Sequence, residues 1–166
     1  MPRKVALLAL FAASITLATF SLGRAQTSPA PQGAPPQVYR ASLSDLMTAI
    51  IQPRHIKLGL AGQEKNWPLA AYELGNLKGA FDRTAQAWPI YRTTNMADLI
   101  EATTKAPMYA VAAAVKAADP DKFNETYEQL TETCNTCHQS IDHSLVVMRV
   151  PKASPYPDQD FRPVKP

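Results

Sequence analysis

Cys134, Asn135, Thr136, Cys137 and His138 bring two thiols and an imidazole into five consecutive positions. Residues three and four apart on a helix share a face, so in a helical setting both sulfurs and the ring point the same way. The order C-x-x-C-H is the attachment signature of c-type haem. Its thiols form thioethers with the two vinyl groups, and the histidine that follows reaches the iron from the same side. Cys134 and Cys137 are therefore the expected covalent attachment points of one haem c, with His138 as proximal ligand. A thioredoxin-type dithiol would want a βαβ setting, and nothing here reads as a strand. A structural zinc site wants four ligands, and beyond this motif only His55 and His143 remain as spare nitrogens.

The other face of the iron asks for a ligand from elsewhere. At about 100° per residue, Met47, Ile51, His55 and Leu58 fall within about 80° of one another, which puts a histidine on an apolar stripe. His55 is the first candidate for the distal position and Met47 the alternative. Eight residues of helix, about 12 Å, separate them, so only one can serve. His143 is expected at the surface and Met108 in the core. Arg54 and Lys57 are cations suited to propionates, with solvated surface charge as their plainer reading. Trp67, Tyr72, Phe81 and Trp88 read as core aromatics.

Four helices must position these groups. The first is expected over Leu43 to Leu60, kinked at Pro53. The second is capped by Asn66, carries Pro68 in its first turn and stops at Trp88-Pro89. A third spans Met96 to Ala118 with an interruption at Pro107. The fourth opens on Asp119 and Pro120 and continues to Val147, with Phe123, Tyr127, Leu130, Cys134, Cys137, Ile141 and Leu145 drawing one stripe. Four amphipathic helices with short connections give an all-α expectation, an antiparallel four-helix bundle with covalent haem on its last helix.

Around that body the chain changes character. Arg3 and Lys4, the apolar run Val5 to Phe20 and Gly23-Arg24-Ala25 read as a signal peptide over residues 1–25. Sixteen apolar residues fall short of the roughly 20 that a membrane-spanning helix needs. Residues 26–40 form a Pro-rich linker, 41–150 the helical domain and 151–166 a second Pro-rich tail, which Tyr156 and Phe161 are placed to pin. Without the leader, which holds Arg3, Lys4 and Arg24 and no acidic residue, the 17 basic side chains of the 166-residue chain fall to 14, equal to its 14 acidic ones. That balance gives no electrostatic case for nucleic acid or an anionic membrane surface. The two cysteines are too close in sequence to close a long loop, so stability must come from a core or a cofactor.

A C-x-x-C-H near the C-terminus, on the last of four helices behind an export signal, resembles cytochrome c prime and its four-helix-bundle relatives over residues Ala41 to Val147. Gln52 to Leu58, Asn66-Trp67 and Tyr72-Glu73-Leu74 are also similar to other exported bacterial haem proteins. Cytochromes c prime usually carry a basic residue soon after the haem histidine, where this chain has Gln139, Ser140, Ile141 and Asp142. The leading expectation is a bacterial periplasmic electron carrier whose partners are redox proteins, with a homodimer left open, no nucleic acid, and no membrane after leader cleavage. A five-coordinate haem protein that binds nitric oxide or carbon monoxide is the alternative. A peroxide-using enzyme is the remote third reading, since it needs an acid and a base poised over open iron.

Overall fold

The computed structural model describes residues 39–164, so the expected leader and nearly all of the linker lie outside the described residues. The fold is mostly helical, with four helices and one small two-stranded ladder. Helix α1 is a composite of an α-turn at Leu43–Asp45, a π-helical segment at Leu46–Ile51 and an α-helix at Gln52–Gln63. Helix α2 spans Trp67–Ala87, α3 spans Met96–Ala117 and α4 spans Pro120–Ser140. Between α2 and α3, strands β1 (Ile90–Tyr91) and β2 (Thr94–Asn95) pair antiparallel, a feature the sequence did not announce. Successive helices pack on one another, and α1 also packs on α4. Among the described residues no helix is long and apolar enough to cross a membrane.

Local chemistry accounts for where these helices begin. Ser42 and Asp45 form a reciprocal capping box, the Ser42 hydroxyl accepting the Asp45 N–H at 3.0 Å while the Asp45 carboxylate accepts the Ser42 N–H at 3.2 Å. Asn66, Asn95 and Asp119 each accept an N–H from the first turn of α2, α3 and α4. Of the two proline expectations, the interruption at Pro107 is corrected. Pro53 follows a π-helical stretch in which the Gln52 N–H reaches back to the Met47 carbonyl, and the wider turn gives the ring room where an α-turn would press it on a carbonyl. Pro107 does not interrupt α3, because buried Ile100, Thr104, Met108, Val111 and Ala114 hold one continuous face on both sides of it.

Helix α4 ends at Ser140, seven residues before the expected Val147. Asp142 turns the backbone left-handed at φ 60°, and the His143 N–H bonds the His138 carbonyl at 2.8 Å, a closing turn that reverses the chain. Leu145 leaves the stripe and is 86 % exposed. Tyr72 is likewise corrected from core to surface, while Met108, Phe81 and half-buried Trp67 and Trp88 pack with the core. The C-terminal tail is pinned as expected at Phe161, which is buried and whose carbonyl accepts the Asn66 side-chain amide at 3.1 Å.

Two glycines set how closely α1 approaches α4. A Cβ on Gly62 would run into the Phe123 ring, and one on Gly59 would run into the Tyr127 ring. Both aromatics therefore lie on bare backbone, stacked on each other at 5.5 Å between centroids. Gly62→Ala is expected to lose about 1–3 kcal/mol through overpacking. Gly75, with no neighbour within 4 Å of its added Cβ, should gain roughly 0.5–1 kcal/mol as Gly75→Ala. Urea unfolding checks both, the midpoint moving in opposite directions at an unchanged slope.

Candidate functional site

Where α1 and α4 part from the glycine contacts, a cavity of about 360 Å³ opens between the helices, within the range of small-molecule and cofactor sites. From α1 it is lined by Leu43, Met47, Ile51 and His55, from α2 and its end by Leu77, Phe81 and Trp88, and from α3 by Ile100 and Thr104. Cys134, Cys137 and His138 line it from the last two turns of α4. Tyr91 of the ladder, and Ile141, His143, Val146 and Met148 of the returning chain, complete its wall. All five residues singled out for chemistry, Cys134, Cys137, His138, His55 and Met47, thus border one mainly apolar space.

Their bonding separates them. The His138 Nδ1 lies 2.8 Å from the Val146 carbonyl, which can only accept, so Nδ1 carries the proton and the neutral ring keeps its lone pair on Nε2. Metal-bound histidines are typically oriented in this way, the other ring N–H held by a carbonyl or carboxylate. His55 is the opposite case. It is 1 % exposed, its Nε2 lies 2.9 Å from the Thr131 hydroxyl and its Nδ1 lies 3.1 Å from the Tyr127 hydroxyl. The Tyr127 hydroxyl also donates to the His55 carbonyl at 2.7 Å, and Thr131 donates to the Tyr127 carbonyl at 2.9 Å. These four contacts would use four protons, and a neutral ring with two hydroxyls supplies three, so one contact is made without a proton; both ring nitrogens nonetheless face hydroxyls of α4. Met47 has no such partner and borders the cavity from the π-helical segment.

Burial disfavours the thiolate form of both cysteines. Burial pushes Cys134 up to about 12, with a further push from Cys137. Burial also raises Cys137, against a hydrogen bond from Thr103 that pulls it back down. A catalytic dithiol needs the reverse, a thiolate stabilised near neutral pH. Among the described residues no group of three or more His, Cys, Asp or Glu side chains that could hold a metal ion is found.

Several sequence expectations are revised here. His143, expected at the surface, is half-buried on the cavity wall with its Nδ1 at 2.7 Å from the Ile141 carbonyl and its ring edge-on to Tyr91 at 5.8 Å. Only the chain reversal at Asp142 brings it there, and helical spacing carries no sign of it. Arg54 and Lys57 do not border the cavity. Arg54 donates to the Ile50 carbonyl at 2.7 Å, and the Lys57 ammonium sits 4.8 Å from the Tyr156 ring centre. Comparison with protein-family models, with curated proteins and with solved structures finds no match for the chain.

The buried His55 gives a pH signature. Burial lowers its pKa from 6.5 to about 4, so the unfolded chain takes up a proton more readily than the folded one. Its contribution is fully present above about pH 6.5 and is lost as pH falls toward 4, with about 2 kcal/mol gone at pH 5. Urea unfolding of wild type and His55→Gln at pH 7 and pH 5 is expected to show the steeper acid loss in wild type alone. Equal losses in the two proteins would assign the acid sensitivity elsewhere.

Proposed function

We propose that the chain is a c-type cytochrome, an antiparallel four-helix bundle that carries one haem c on its last helix and transfers electrons in the bacterial periplasm. The observation that carries this reading is the wall formed by Cys134, Cys137 and His138, two thiols and an imidazole whose Nδ1 is held by a carbonyl, along one apolar cavity. The residues fit the group: Cys134 and Cys137 would hold its vinyl carbons as thioethers and His138 its iron. When bound, the haem supplies a one-electron ferric–ferrous couple, whose potential the axial ligands, the dielectric of the cavity and neighbouring hydrogen bonds adjust.

Met47 is the residue best suited to the sixth position, since it borders the cavity from α1 with no competing bond while both nitrogens of His55 face hydroxyls of α4. A histidine–methionine pair favours the reduced iron and suits a carrier. The peroxidase alternative finds little support, because His55 is neutral and fully engaged and Arg54 is turned to a backbone carbonyl. The gas-binding alternative, with the relatives of cytochrome c prime in view, draws on the apolar lining contributed by Leu43, Ile51 and Phe81.

Protein matured with a c-type assembly system should have the mass of the chain without residues 1–25 plus one haem, resistant to acid-acetone. Cys134→Ala with Cys137→Ala should abolish that mass, and extractable haem or bound zinc in the wild type would sink the reading. The ferrous spectrum is expected to be low-spin, with slow carbon monoxide binding. Met47→Ala should render it high-spin and receptive to carbon monoxide, and His55→Ala should alter stability while leaving ligation intact. The reverse pattern transfers the role to His55. A wild-type ferrous iron already high-spin and fast to bind gas selects the gas-binding alternative.

A further inference from the structure

We infer that Asn135, the first variable residue of the C-x-x-C-H motif, is a positioning residue that fixes the carbonyl holding His138. This rests on the haem reading and goes beyond it, because the motif itself asks nothing of that position. The chain between the closing turn of α4 and Met148 is poorly anchored by its own side chains: Leu145, Val146 and Val147 are 86 %, 42 % and 61 % exposed. The turn holds its start, with the Val146 N–H on the His143 carbonyl at 2.9 Å. Its far end is gripped by Asn135. The Asn135 Oδ1 accepts the Met148 N–H at 2.7 Å, and the Nδ2 donates to the Met148 carbonyl at 3.2 Å and to a Glu132 carboxylate oxygen at 3.3 Å.

One side-chain amide thus takes both polar groups of one peptide position, as a neighbouring strand would. Two residues before that grip lies the Val146 carbonyl, the acceptor for His138 Nδ1. Without the grip, the carbonyl is held from one side only, by a turn whose apolar side chains face solvent. An imidazole whose Nδ1–H is held by a carbonyl is a stronger donor to iron, and stronger donation favours the ferric state. Asn135 would therefore act on the iron through Val146 and His138 without touching the haem.

The test uses haem-loaded protein. Intact mass of the wild type comes first, and absence of covalent haem there counts against the haem reading itself. Loaded Asn135→Ala is then compared with Asn135→Asp, which keeps an acceptor for the Met148 N–H and loses the donor, and with Thr136→Ala, the other variable position. Three quantities are read: exchange of the Met148 amide, exchange of the His138 Nδ1 proton by NMR, and the ferric-to-ferrous ratio at a fixed ambient potential. Asn135→Ala should speed both exchanges and move the ratio toward ferrous by about three- to tenfold, tenfold being 59 mV for one electron. Asn135→Asp should fall between it and the wild type, with Thr136→Ala unchanged. A loaded Asn135→Ala with wild-type ring-proton exchange and ratio overturns the inference while leaving the haem reading in place. If Asn135→Ala does not mature, the same comparison is made on Asn135→Asp, and wild-type values there overturn it equally.

Discussion

The cavity depends on how α1 and α4 are joined below it. At Gly62 and Gly59 the rings of Phe123 and Tyr127 lie on bare backbone, and one turn further along α1 the join becomes polar, with His55 bonded to Tyr127 and Thr131. These contacts advance along α4 as they retreat along α1. Beyond them Met47 and Ile51 of α1 and Cys134, Cys137 and His138 of α4 line the cavity. A buried polar network of this kind fixes register more than it adds stability, since unpartnered polar groups in a core are penalised strongly and paired ones gain little. Register is what the site needs, because it sets which residue of α1 faces the thiols.

Three histidines in one chain illustrate how bonding rather than residue type assigns a role. His138 and His143 each give a proton to a carbonyl and keep a free Nε2 beside the cavity. His55 has the deepest burial of the three, and both its nitrogens face hydroxyls of α4 instead. Burial alone, the property that made it attractive on an apolar stripe, also leads the protein to satisfy it internally, as buried polar groups generally are.

The parts of the fold legible in sequence were those governed by local chemistry. Asn66 and Asp119 are good N-caps wherever they precede an amphipathic run, and the stripe from Phe123 to Cys137 is buried or half-buried as its spacing requires. The site triad was legible because thiols and imidazole at helical spacing need no tertiary information to share a face. What failed was decided at longer range. Pro107 remains inside a helix because its surroundings hold both flanks, and Asp142 ends α4 early with a left-handed residue that no glycine advertises. That early end also hid His143 and the Val146 carbonyl from any reading by periodicity. The partners of His55 were hidden as well, since Tyr127 and Thr131 are more than 70 residues away from it in sequence.

The π-helical segment at Leu46–Ile51 has an evolutionary consequence. A π-turn is an α-turn with one residue too many, so deleting a single residue there would restore the α-helix and swing everything before it by about 100°. Met47 would leave the cavity wall while the glycine contacts and the His55 network, which lie after the segment, kept their register. A lineage could thus exchange the group that α1 presents to the cavity through one deletion or insertion, with Leu43 and Leu46 the buried residues that must reseat. Within the first helix, the architecture separates the part that joins α1 to α4 from the part that presents Met47 to the cavity.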